Sequence, residues 1–244
     1  MLTKFFQASL LASLASAAVL PRASQAVDQI LAIAPTSGSC TNAPSPDECT
    51  TNADAAPFLV AAMAKYNIYA TPEIAAVLSV VAFESGDFKY NTNHFPAPGR
   101  PGQGTRAMLM PPFVLKYAQS IPELAAQLGA ITTQPTTTGL SDDALNAIRA
   151  LVRPNEYSFA SAAWYLTTQC DPAVRTALQA GGQPGFEAYM GCLGVAATPE
   201  RRTTRKVTRP HRALYLYSCL IGYNASDSVS TLRTPSQRYG PLAQ

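Results

Sequence analysis

One helical run constrains this 244-residue chain more than any other stretch: Thr71-Pro-Glu-Ile-Ala-Ala-Val-Leu-Ser-Val-Val-Ala-Phe-Glu84, followed by Ser85-Gly86. Thr71 suits an N-cap and Pro72 the first helical position. Ile74, Val77, Leu78 and Val81 recur at i, i+3, i+4 and i+7, which makes one buried face. Ala76, Val80 and Phe83 make the other side apolar too, so the helix is expected to be buried all round. Only the middle of a helical domain accommodates such an element. Glu84 falls on the Val77–Val81 face at the helix C-terminus. Desolvation and the negative end of the helix dipole would both raise its pKa there. A carboxylic acid kept protonated near neutral pH suits a general acid that protonates a leaving oxygen. A glutamate whose head group snorkels to water at a helix end is the plainer alternative.

Other helical patterns follow one another along the chain: Ala55 to Tyr66, Pro112 to Gln119 and Pro122 to Leu128. Ser141-Asp142-Asp143 opens a helix to about Val152, its acidic first turn favoured by the dipole. Glu156 to Gln169 is apolar and alanine-rich. Asp171-Pro172 caps a helix that stops at Gly181-Gly182, and Phe186 to Leu193 and Thr198 to about Cys219 complete the set. Alternating β-branched patterns are nearly absent, so the chain reads as a single all-α domain with little or no sheet. Residues 18–50 read as a short propeptide and a disulfide-stapled N-terminal segment, a short apolar stretch followed by a Pro/Ser/Thr/Asn-rich tail, and residues 51–244 as the domain proper.

The first 17 residues read as a secretory signal. Lys4 supplies positive charge, Phe5 to Ala15 is apolar, and Ala15-Ser16-Ala17 is a small-residue cleavage pattern. The apolar run is too short to span a bilayer, and no later stretch is long enough. The expectation is a secreted, extracellular monomer with no membrane partner. Five cysteines fit that compartment: Cys40, Cys49, Cys170, Cys192 and Cys219. Cys40 and Cys49 bracket a short polar stretch and are expected to pair. Cys170 with Cys192 and Cys170 with Cys219 both remain open, and one thiol is left over. Asn224-Ala-Ser226 is a glycosylation sequon.

Charged residues make up 14% of the chain and the net charge is +3, which argues against a nucleic-acid partner. The basic residues Arg201, Arg202, Arg205, Lys206, Arg209 and Arg212 cluster, as a solvated face or as a patch for anionic polymer. No zinc-ligand spacing and no Gly-x-Ser-x-Gly turn occurs, and only His94 and His211 could serve a triad, so no metal or cofactor is expected. Residues 87–106 form a long polar loop rich in Gly and Pro, of a length that is usually functional or disordered. Its rings and amides, Tyr90, Asn91, Asn93, His94 and Gln103, suit sugar binding.

The run ending Phe83-Glu84-Ser85-Gly86, then Thr105-Arg-Ala-Met-Leu-Met-Pro111, Ala162-Ala-Trp-Tyr-Leu166 and Ala188-Tyr-Met-Gly191, resembles the goose-type lysozyme and lytic transglycosylase superfamily over roughly residues 71–195. The resemblance implies that residues 51–244 are a lysozyme-like helical domain with Glu84 as general acid. It further implies cleavage of a β-1,4-linked amino-sugar polymer, peptidoglycan first and chitin-type chains second. Tyr189, at the family's motif tyrosine, would hydrogen-bond near the acid, or else is a core aromatic. The family's motif Gln falls on Met108 and its Asn on Met190, two departures at positions that contact substrate or support the acid. Asp87 is the nearest second carboxylate, either a base or a residue capping the helix exit. A non-catalytic sugar-binding or interaction protein is the rival reading.

Overall fold

A computed structural model describes residues 19–201, with side chains from Ala26 onward. Among these residues the protein is all-α, as expected, and the only pairings of extended backbone are the isolated bridges Thr92–Gly104 and Gly104–Leu109.

The central element is α3 (Thr71–Glu84), which spans the run read from sequence. Every residue from Glu73 to Ala82 is buried, because the helix is apolar on all sides. Its start differs from expectation in one residue. Ala70 holds the cap position with extended backbone, Thr71 is already helical, and no side chain caps the turn. The prolyl ring of Pro72 pre-sets the first turn in its place. Around α3 pack α1 (Val19–Ile33), α8 (Ser161–Thr168), α9 (Pro172–Ala180) and α10 (Gly182–Cys192).

The short apolar stretch ahead of the polar tail is a helix that contributes to the core, although the sequence reading sets it apart from the domain proper. In α1 and its exit, Ala26, Ile30, Ile33 and Ala34 recur along one face and are buried against the main core. Helix α1 lies on α2 (Asn52–Lys65), whose own stripe is Ala55, Leu59, Ala62 and Met63. The apolar face of α1 is short, and the Pro- and Ser-rich run behind it masks the pattern in the sequence.

A second core forms under α4 (Pro111–Gln119), α5 (Ala125–Ile131) and α6 (Asp142–Leu151). Residues 122–128, read as one helix, begin as a 3-10 turn at Pro122–Leu124 before α5. Ser141 caps α6, accepting from the Ala144 amide at 3.2 Å. The alanine-rich run from Glu156 splits into α7 (Asn155–Ser158) and α8, where Phe159 and Ala160 break the register. Helix α8 joins the two cores. Ala162, Ala163 and Leu166 face the first, while Trp164 and Tyr165 face the second, with Trp164 4.8 Å from the Tyr117 ring and Tyr165 4.8 Å from Phe113.

One charge is buried inside the first core. The Glu73 carboxylate, 1% exposed, takes Arg175 Nε at 2.6 Å and Gln179 Nε2 at 3.1 Å from α9. The pair locks α9 to the start of α3, since an unpaired buried carboxylate there is strongly disfavoured. Disulfides join Cys40 to Cys49 and Cys170 to Cys192. The first is as expected, and the second decides between the two open pairings. Cys219 and Asn224 lie outside the described residues, as do residues 1–17 and the basic segment beyond Arg201.

Ile30 reports on α1, because its side chain is 1% exposed at the α1 contact with the core. Ile30→Ala should cost about 2–4 kcal/mol, read as a lowered midpoint in urea unfolding with an unchanged slope.

Candidate functional site

The polar chemistry of the protein gathers where the stapled loop 40–50 meets the long loop after α3. Ser85 starts the turn: its hydroxyl donates to the Val81 carbonyl at 2.6 Å and accepts from the Phe88 amide at 2.9 Å. Gly86, Asp87 and Phe88 then take left-handed backbone, with φ of 56°, 56° and 69°. For Asp87 and Phe88 this conformation is costly and persists only where the surroundings enforce it. They do so here. Asp87 Oδ2 accepts from Thr36 N and Oγ1, both at 2.9 Å, and Phe88 packs edge-on to Phe159 at 5.2 Å. Lys89 Nζ donates to the carbonyls of Thr36 and Ser39, tying the same turn to the exit of α1.

At the centre lies Arg106, 0% exposed. Its Nη1 donates to the carbonyls of Phe88 at 2.8 Å and Tyr90 at 3.0 Å. Its Nη2 donates to the Glu48 carbonyl at 2.6 Å and Thr50 Oγ1 at 2.7 Å. The guanidinium also lies 4.9 Å from the Phe159 ring centroid. Burial pushes its pKa down to about 10, with Glu48 opposing the shift and Arg153 adding to it. It remains a cation at neutral pH.

Glu48 is the matching anion, 8% exposed. Its Oε2 accepts from the amides of Asn91 at 2.8 Å and Thr92 at 3.0 Å, and its Oε1 lies 2.9 Å from His94 Nε2. Burial pushes this carboxyl up. The Asn91 amide, the His94 hydrogen bond and charge, and the Thr92 amide outweigh it, so the net shift is downward. Asn91 Oδ1 in turn accepts from Arg153 Nε at 3.1 Å. Gly104 passes beneath: a Cβ there would stand 2.6 Å from the Asn91 carbonyl and 2.7 Å from Arg149 Cδ, so only glycine fits. A cleft of about 390 Å³ opens over this network, lined by Glu48, Thr50, Asn91, Arg106, Arg153 and Asn155 among others.

The residues expected to bind sugar are brought together only in part, and their polar side-chain atoms are mostly engaged by neighbours such as Glu48, Arg153 and Arg100. Asn91 lines the cleft, and Tyr90 stacks near His94 and Phe95 at 5.4 and 5.9 Å between ring centroids. Asn93 Oδ1 accepts from the Arg100 amide, and Gln103 Nε2 donates to the Met108 carbonyl. Met108 itself sits in a left-handed turn with φ of 45°. Tyr189 is a core aromatic, 0% exposed, with its hydroxyl 3.4 Å from the Ala162 carbonyl. Burial raises its pKa well above the usual phenol value, with Tyr165 and Glu84 adding to the shift.

Glu84 does not line this cleft and does not stand free. Its side chain is 22% exposed and takes Arg201 Nη1 at 2.5 Å, while the Arg201 guanidinium stacks 4.3 Å over Phe83. Asp87 accepts from Thr36 at the exit of α1, not at the exit of the Glu84 helix, where the sequence reading allows a capping role. Arg201, the first residue of the basic segment, is thus held in an ion pair and is not a freely solvated charge. Arg106 and Glu48 went unremarked in the sequence because their partners sit at positions 50, 88, 90, 91, 92 and 94, with no spacing that marks them. The one available signal was that a charge-poor chain places an arginine between a Gly/Pro-rich loop and an apolar helix.

No family model matches the chain, and no solved structure matches it. Among curated proteins it is similar to a bifunctional dioxygenase (DOX)-epoxy alcohol synthase (EAS) of Fusarium oxysporum (strain Fo5176), 43% identical over 161 residues. That stretch is 66% of this chain and 12% of the relative, so the chain spans about an eighth of the relative's length. The relative is an enzyme, but of an oxidative kind. This overturns the expectation of a muramidase or transglycosylase acting on peptidoglycan or chitin-type polysaccharide. The roles given to Glu84 as general acid and Asp87 as its partner go with it. A buried apolar helix ending in Glu-Ser-Gly is a packing solution that chemically unrelated proteins can share.

The Glu48 network carries a pH dependence. Because the folded-state pKa is depressed, its contribution to stability is complete above the ordinary glutamate value of 4.5 and is lost as pH falls through the lower folded value. Thermal midpoints from pH 7 to pH 2.5 should fall for the wild type in that acid range, and Glu48→Gln should start lower and fall less. Arg106→Gln, which removes the guanidinium donor from four acceptors and leaves the Phe88 carbonyl with only its Thr50 amide bond, should cost about 3 kcal/mol in denaturant unfolding at neutral pH.

Proposed function

We propose that this chain is a helical module of oxidative enzymes of the dioxygenase–epoxy alcohol synthase kind, one that supports the enzyme and does not hold its redox centre. The observation that carries the reading is the 43% identity to a segment that makes up 12% of such an enzyme. The matched stretch is small beside the relative, and this chain has its own cores and two disulfides, the build of a discrete module.

Adding dioxygen to an organic substrate needs a metal or an organic redox cofactor. The donor set described here does not fit a metal centre held by several protein ligands. Among the described residues no three His, Cys, Asp or Glu side chains group together as ligands. His94 is engaged with Glu48, and Cys40, Cys49, Cys170 and Cys192 are bound in disulfides. No oxidative step is therefore assigned to these residues.

The test compares the full Fusarium enzyme with a version lacking the matched segment, alongside this 244-residue chain alone, by oxygen uptake and by visible absorbance. The chain alone should show neither uptake nor a cofactor band. The shortened enzyme should keep its kcat within about twofold while its thermal midpoint falls. Stoichiometric cofactor with oxygen uptake by this chain alone would overturn the reading, as would loss of turnover in a shortened enzyme that remains folded.

A further inference from the structure

We infer that the cleft over Arg106 and Arg153 is a binding site for a small oxyanion, a carboxylate or phosphate group. The inference goes beyond the reading above and does not depend on it.

Charge and hydrogen-bonding capacity are both unbalanced at this place. Three guanidiniums, Arg106, Arg149 and Arg153, are close enough for Arg153 to disfavour the charge on each of the other two. They share one buried carboxylate, Glu48, whose two oxygens are already taken by Asn91 N, Thr92 N and His94. Asp47 is exposed at the rim, where water screens it.

Donors are left over. Arg106 lines the cleft and is 0% exposed, yet its Nε has no partner, and Arg149 Nε is likewise buried without one. Arg153 spends its Nε on Asn91 Oδ1, and among the described residues its Nη groups make no hydrogen bond. Asn155 accepts from Thr50 Oγ1 through its Oδ1, and its amide nitrogen makes no hydrogen bond among the described residues. The Arg106 and Arg149 Nε groups are buried donors without acceptors, which are rare in folded proteins, while the free donors of Arg153 and Asn155 are half-buried and line the cleft.

An oxyanion seated against Arg153 and Asn155 takes the free donors that line the cleft and offsets the surplus positive charge of the three arginines. It offers several acceptor lone pairs, brings the missing negative charge, and suits the planar fork of Arg153. The cleft volume of about 390 Å³ falls within the range of small-molecule sites, and its lining of Asn, Thr, Arg and carboxylate side chains favours a compact polar ligand over an apolar one.

Titration calorimetry on the 244-residue chain, with inorganic phosphate in one arm and succinate in the other, tests this. At least one should bind one-to-one at about 1 mM or tighter, and which arm binds identifies the group. Arg153→Gln should weaken that binding by about tenfold or more with an unchanged thermal midpoint. Lys65→Gln, at the far end of α2 and about 20 Å along the helix from Thr50, should leave it unchanged. Arg106→Gln is unsuitable as the main variant because it threatens the fold. Saturable binding of neither probe would overturn the inference. So would binding indifferent to Arg153→Gln, or binding weakened equally by Lys65→Gln, which would show only general attraction to a basic protein.

Discussion

The guanidinium of Arg106 is the interaction on which the irregular half of this protein depends. It collects carbonyls from Phe88, Tyr90 and Glu48 and a hydroxyl from Thr50, joining two loops that share no secondary structure. The Glu48 and Phe88 carbonyls are buried and the Tyr90 carbonyl is partly so, and outside a helix or sheet such oxygens need other donors; the Thr50 amide supplies one to Phe88 and Arg106 the rest. One side chain with five N–H groups in a rigid fork replaces a ladder of backbone bonds. Glu48 completes the arrangement by taking backbone amides from Asn91 and Thr92. The left-handed turns at Asp87, Phe88 and Thr105 are tolerable because these contacts hold them in place.

The helical half works by a different physics. Helix α3 is apolar all round and must be surrounded. Helix α8 supplies small residues to one core and large rings to the other, so the two cores act through one helix. The Glu73–Arg175 pair adds direction to that packing, because a buried charge tolerates one partner geometry where apolar contacts tolerate several.

Glu84 shows how a site can be misjudged when its local setting is read correctly. Its place at the end of a buried helix was legible from residues 71–84, and the helix spans those residues. What the carboxylate does there is set by Arg201, 117 positions away, whose guanidinium covers it and stacks on Phe83. Periodicity reports which face a residue occupies and says nothing of what arrives from elsewhere in the chain. The oxidative relative points away from the glycosidase chemistry that the motif order was expected to carry.

The sequence by itself determined the all-α class, the run of α3, the capped starts of α6 and α9 and the local Cys40–Cys49 pair, because each is a short-range consequence of periodicity, caps or proximity. Tertiary structure alone decided that residues 19–33 form a core helix and that Cys170 joins Cys192. It alone placed Arg106, Glu48, Asn91 and Arg153 around one cleft. The physical reason is separation. Hydrogen bonds and ion pairs across 40 to 60 positions depend on where the helices bring their loops, and no local pattern encodes that meeting.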